Sequence, residues 1–298
     1  MASDRGVSAY AALAVGVVAI AWSAIFVRWT HMPGLTSAFY RVLFAAAMLW
    51  PILLASGKHP RRIDRSTLGL AALGGLFFAG DVGLYNIAVL HTTAGGATLL
   101  GNNAPVFVGL LTWIITRRPP PGRFWLVLAI ASVGAALIMR VDAGHAGSRF
   151  SADMLAVGTS FCFALYLLVT QRLRGTCDSG TLLALSSTAS AAVLLVVALF
   201  THTTLRISGT SSWAAVLGLA LVCQVAGYFS LTYALGHLPA TVTSVILLAI
   251  APLTALFALV LFGERMTPSQ VCGGALVLLG VWLAGRLHGA VRLPALVE

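Results

Sequence analysis

At 298 residues the chain is long enough for a large soluble core, yet it is 59% hydrophobic and only 9% charged, with a mean hydropathy of +0.96. A soluble domain carries about 25% charged residues, so this composition excludes a water-covered globule. The formal net charge of +10 invites a nucleic-acid reading, which the placement of the basic residues along the chain removes.

A bilayer-spanning helix needs about 20 mainly apolar residues. Such stretches run over 8–28, 36–56, 67–89, 93–115, 122–139, 151–171, 180–201, 211–235, 240–262 and 268–285. Short polar or Gly/Pro-rich connections separate them, none long enough for a soluble domain. The alternating pattern of a membrane β-barrel is absent, so the fold class is an all-α integral membrane bundle of ten transmembrane helices. The first stretch follows Arg5 as a secretory signal would, but it continues unbroken to Phe26 and Val27. An ordinary signal core spans only about 7–15 residues, so a retained first helix is predicted.

Polar residues inside these stretches are few and specific. The second carries Arg41 and the third Asp81. At 1.5 Å per residue, Asp81 lies roughly 21 Å from the start of its helix and Arg41 roughly 7–8 Å from the start of its own, at the opposite surface. The two depths coincide, which predicts an Arg41–Asp81 pair. Intramembrane charges pair or mark a pathway, so the pair reads as a gate, a proton site or a structural clamp.

In the fourth stretch Asn102 and Asn103 precede Pro105, and the ninth places Pro252 at the matching depth. Proline removes a backbone donor and interrupts the helix. Matching interruptions in two halves of a chain point to a transporter's site and hinges. Successive residues point about 100° apart, so one of the two amides faces the bundle centre while the other bonds a neighbouring helix. Gln224 in the eighth stretch is a similar case. Of the aromatics near mid-helix, Trp22, Tyr85 and Tyr228 are the candidates for lining a central cavity. The competing reading for each of these residues is helix packing.

The charges also set the orientation. With the N-terminus inside, Arg5, Lys58, Arg61, Arg62, Arg65, Arg117, Arg118, Arg123, Arg172, Arg174, Arg286 and Arg292 are cytoplasmic. Outside lie Arg28, Arg140, Arg149, Arg206 and Arg265. This excess of 12 to 5 is the positive-inside bias of membrane insertion, and it predicts both termini in the cytoplasm. Cys162, Cys177, Cys223 and Cys272 lack metal-type spacing and read as small packing residues. The histidines fall in loops or at helix ends. No H-E-x-x-H, G-x-S-x-G or Walker A pattern occurs, so no enzyme, cofactor or direct use of ATP is expected.

The chain also repeats. Shifted by about 147 residues, His91 through Pro105 aligns with His237 through Pro252, Pro121 falls on Pro268 and Gly134 near Gly280. At a shorter offset Leu13–Gly16 echoes Leu155–Gly158. Five helices per repeat is odd, so the second half, 148–298, enters the membrane inverted relative to the first, 1–147. Inverted repeats mark alternating-access transporters, with the substrate at mid-membrane. By this offset Asp81 falls on Tyr228, and Asn102 and Asn103 fall on Ala249 and Ile250. The polar groups therefore belong to one half.

The stretch from Ala251-Pro252 through Gly263-Glu264 and Thr267-Pro268 to Gly273-Gly274 resembles the closing signature of the EamA-type drug/metabolite transporters. Phe39-Tyr40-Arg41 is similar to that family's first-half motif. Arg117 stands where the second half has Glu264, as an inverted topology allows. Thr267-Pro268-Ser269-Gln270 also reads as a capping box with proline at the first helical position.

The resemblance implies a secondary transporter of a bacterial inner membrane that exports small amphipathic metabolites. Length and layout are similar to members that export aromatic amino acids. Drugs or other metabolites are the alternative cargo; a structural membrane subunit or an intramembrane enzyme is the more distant one. The implied partners are a small-molecule substrate and the lipid bilayer, with the protein a monomer or weak homodimer.

Overall fold

The computed structural model describes residues 2–58, 63–91, 103–139, 149–262 and 267–290. Among these it contains ten helical spans and no strand. The first span is Ala2–Ala21 continued by Ser23–Trp29; the second is Gly34–Ala55 and the third Arg65–His91. Ala104–Thr116, Gly122–Met139, Arg149–Leu173 and Ser179–Phe200 are the fourth to seventh. The eighth joins Thr210–Gly218, Leu219–Tyr228 and Phe229–Leu235, the ninth Ala240–Leu247 and Ile250–Phe262, and the tenth is Pro268–Ala290. Seven are long and apolar enough to cross a membrane, while the fourth, fifth and sixth are shorter apolar helices.

The bundle inverts the polarity of a soluble protein. Phe200, Val260 and Ile114 are 83%, 73% and 71% exposed, whereas Arg41, Asp81 and Gln224 are 2%, 6% and 0% exposed. Apolar side chains on the outside suit lipid, and every polar group inside must find its partner within the protein.

The span ends are closed by local chemistry. After the second span, Gly57 takes φ +74°, and Lys58 N–H and Gly57 N–H bond back to the Leu53 and Leu54 carbonyls at 2.9 and 3.0 Å. This is the Schellman closure. The seventh span ends likewise through His202, at φ +49°, with Thr203 N–H on the Ala198 carbonyl at 2.9 Å. Lys58 then reaches Asp178, which caps the start of the seventh span, at 2.9 Å. Partial burial pushes the Asp178 carboxyl up, but Lys58 and Thr181 outweigh it and hold it below the usual carboxylate range. The expected capping box is present: Thr267 N–H donates to Gln270 Oε1 at 2.9 Å, and Gln270 N–H to Thr267 Oγ1 at 3.4 Å.

The two halves correspond contact by contact. A Cβ on Gly16 of the first span would sit 3.4 Å from Leu231 N of the eighth; one on Gly158 of the sixth would sit 3.2 Å from Leu84 of the third. Gly80 faces Cys162 as Gly227 faces Ile20, and Gly134 faces Val277 as Gly280 faces Ala131. Each pair maps onto its partner under the repeat. The second and seventh spans pack on each other, as do the fifth and tenth, so each span of these pairs meets its own repeat mate. The fold is two inverted five-helix repeats.

Among the described residues three spans, the first, eighth and ninth, are interrupted. The fourth is described from Asn103, which caps a helix carrying Pro105 in its first turn. In the ninth, 248 and 249 form a turn ahead of Pro252, and the Ala251 N–H takes the Leu248 carbonyl at 3.2 Å. Pro105 and Pro252 thus both stand in the first turn of a helix segment, at repeat-related positions. The other two interrupted spans carry no proline at the break. The first span breaks at Trp22, where Thr254 Oγ1 donates to the Ala21 carbonyl at 3.0 Å and Cys223 Sγ to the Ala19 carbonyl at 3.3 Å. Hydroxyls and thiols from neighbouring helices thus satisfy carbonyls at the break. In the eighth span the ten residues Leu219–Tyr228 form a π-helix. Such windings usually occur as single turns and gather at functional sites.

Candidate functional site

Arg41 enters the bundle from the second turn of the second span. Its Nε donates to Gln224 Oε1 at 2.9 Å and its Nη1 to Ser23 Oγ at 3.0 Å. The guanidinium carbon lies 5.2 Å from the centre of the Tyr228 ring, within the reach of a cation–π contact. Three spans therefore hold one buried cation: the first through Ser23 beside the Trp22 break, the eighth through Gln224 and Tyr228, and its own. Both eighth-span residues belong to the π-helix, whose five-residue winding sets the faces they present.

Tyr228 also touches the acid. Its hydroxyl donates to Asp81 Oδ2 at 3.5 Å, long for an O–H···O bond, which is usually 2.5–3.0 Å. Among the described residues no contact of 4.0 Å or less joins the Arg41 guanidinium to the Asp81 carboxyl. The depth match thus brings both charges to one site, but the linkage runs through Tyr228.

A cavity opens at this cluster. Ile20, Ser23, Arg41, Asp81, Val82, Tyr85, Thr159, Phe163, Tyr228 and Ile250 line it. The lining comes from spans one, two and three of the first half and six, eight and nine of the second. The cavity offers ≈ 40 Å³ to the centres of water-sized occupants. One buried water needs about 10–15 Å³ on this measure, so a few waters fit and a metabolite does not. Phe163 and Tyr228 on its wall belong to a packed aromatic layer: Phe78 lies 4.7 Å from both Tyr166 and Tyr228, and Phe163 lies 6.2 and 6.3 Å from the same two rings. These separations are typical of favourable ring pairs.

The candidates named from the sequence divide. Arg41, Asp81, Tyr85 and Tyr228 line the cavity, and Gln224 reaches it through Arg41. Trp22 is not among the lining residues; its ring packs at a tilt on Phe257 at 4.7 Å and Phe26 at 5.8 Å. Asn103 sits at the start of the fourth helix, and neither it nor Pro105 nor Pro252 is among the lining residues. Asn102 and Glu264 lie outside the described residues. Ile250, the repeat counterpart of Asn103, is on the wall.

Ser23, Thr159 and Asn86 were not legible as site residues in the sequence. Asn86 is fully buried and, with its amide turned to suit its neighbours, accepts from Ser37 Oγ at 3.0 Å and Ala38 N–H at 3.1 Å, tying the third span to the second. Among the described residues no group of three or more His, Cys, Asp or Glu side chains is placed to hold a metal ion.

Comparison with known proteins agrees with this arrangement. The sequence model of the EamA-like transporter family matches residues 7–140 and again 150–286. The chain is 26% identical over 250 residues to the uncharacterized transporter YwfM of Bacillus subtilis (strain 168), covering 82% of this chain and 81% of that one. An uncharacterized transporter of Archaeoglobus fulgidus is 25% identical over 279 residues, covering 91% of this chain and 95% of its own length. A solved crystal structure superposes with a TM-score of 0.78 at 16% identity, over 98% of this chain and 99% of that one; at that identity the likeness concerns the fold alone.

Proposed function

The chain belongs to the EamA-like transporter family, and on that premise we propose that it exports small amphipathic metabolites, foremost amino acids with hydrophobic or aromatic side chains, by alternating access. One observation carries the substrate class. The cavity lies at the interface of the inverted halves and sets a buried cation and a buried acid beside aromatic rings. A zwitterion with an apolar side chain complements that wall: few convergent polar groups in an apolar surround fix such a ligand's orientation. The membrane is a bacterial inner membrane, with both termini cytoplasmic and the protein a monomer or weak homodimer.

In this reading the two halves rock about the fourth and ninth spans, with Pro105 and Pro252 as hinges. Asp81 carries the coupling proton, and Arg41 closes or opens the cavity as its partners change. The cavity of this structure is smaller than such a cargo, so binding requires it to widen.

The test is counterflow in liposomes holding the purified protein, preloaded with unlabelled amino acid and given labelled phenylalanine, tryptophan or leucine outside. Saturable accumulation that requires the preload is expected. Accumulation of lipophilic cations in its place would move the cargo to drugs, and uptake of no amino acid would remove the substrate assignment.

A further inference from the structure

The hydrogen bonding of Arg41 is incomplete. A guanidinium has five N–H donors; Nε and Nη1 are used, but Nη2 is buried with no partner. Gln224 is in the same condition, since it spends Oε1 on Arg41 and leaves Nε2 buried and unpartnered. A buried donor without an acceptor is costly, and here two occur in one cluster at a cavity wall. The nearest acid does not relieve them: Asp81 meets the Tyr228 hydroxyl, not the guanidinium. The surplus is of donors, so the group that would complete the cluster is an acceptor, and beside a guanidinium the matching acceptor is an anion.

We propose that Arg41 is the carboxylate subsite of the cavity, with Nη2 as the recognising donor and Gln224 as the positioning residue that fixes the guanidinium plane. Asp81, on the same wall, then receives the substrate's ammonium group. This rests on the transport reading above and sharpens it: a free carboxylate becomes the required recognition element, which separates amino acids from amines, esters and lipophilic cations of the same shape. It also explains why the cation is arginine. A lysine is a point charge that cannot bond Gln224 and Ser23 while presenting a further edge.

The experiment compares four ligands of one ring: phenylalanine, phenylpropionate (carboxylate alone), phenylalanine methyl ester and phenethylamine (ammonium alone). In counterflow competition with the wild-type protein, the ester and the amine should compete at least about tenfold more weakly than phenylalanine, the ratio expected from one lost charge-assisted bond. Arg41→Gln should erase that difference, and Arg41→Lys should restore charge without restoring the full ratio. A wild-type protein that treats acid and ester alike overturns the proposal, whether or not the variants fold.

Thermal stabilisation of the purified wild-type protein distinguishes the two readings if no amino acid moves. A melt raised by phenylpropionate and not by phenethylamine keeps the carboxylate subsite while the amino-acid cargo fails. A melt raised by neither, or by the amine alone, overturns the subsite.

Discussion

Asp81→Asn is expected to abolish the response of transport to a pH gradient and to weaken binding of the ammonium-bearing substrate, leaving a slower exchange that ignores the gradient. The amide matches the acid in shape and still accepts from Tyr228, but it cannot carry a proton. The groups facing Asp81 are Arg41 from the second span, Cys162 and Tyr166 from the sixth, and Tyr228 from the eighth. Of these, Arg41 is the cation and Tyr228 is the direct donor. A gradient of one pH unit coupled to one proton sustains about tenfold accumulation. Wild-type vesicles should approach that ratio, and the variant should fall to the level seen without a gradient. Unchanged gradient response would rule out a proton-carrying Asp81. Loss of the folded protein would make it the clamp that the matched depths equally allow.

The largest structural effect is expected at Gly134. A Cβ there would lie 2.6 Å from the Gly273 carbonyl oxygen, 2.7 Å from Leu276 Cβ and 2.8 Å from Val277 N. All three atoms are backbone or rooted to it, so no side-chain rotation relieves the overlap. Gly134→Val should therefore separate the fifth and tenth spans, at a cost beyond the about 1–3 kcal/mol usual for overpacking. The readout is yield of monodisperse protein and a lowered melt in detergent. Gly69→Ala is the control, since a Cβ there meets nothing within 4 Å, and it should be neutral or mildly stabilising because alanine is the better helix former. Equal behaviour of the two variants would mean that this crossing does not govern assembly.

Much of the fold was readable because lipid imposes a simple code. The stretch expected at 240–262 is the ninth span end to end, and the one expected at 211–235 differs from the eighth by a single residue. The Thr267–Gln270 cap was readable for a similar reason, because it depends on four consecutive residues. The break at Trp22 was not readable. Carbonyls beside it accept from Cys223 and Thr254, residues more than 200 positions away, so nothing local announces it. The π-helix is likewise invisible in composition, yet it decides where Gln224 and Tyr228 point. Depth counting brought Arg41 and Asp81 to one level, because rise per residue is fixed. It could not supply the tyrosine through which they are linked, since facing depends on winding.

That linkage has a property that follows from its address. Asp81 and Tyr228 are 147 residues apart and occupy the same place in the two halves. If the halves trade conformations when access changes sides, every contact is carried to the contact between the counterpart residues. The second and seventh spans begin at Gly34 and Ser179, an offset of 145, so the Arg41–Gln224 bond is carried to Ser186 and Phe77, which cannot make one. A contact between counterparts is carried onto itself, so Asp81 and Tyr228 form a fixed point of the operation. Distance measurements between probes at 81 and 228 should give one value in both access states, while probes at 41 and 224 should give two. The proton-bearing group would then sit at the pivot, where the motion around it is least.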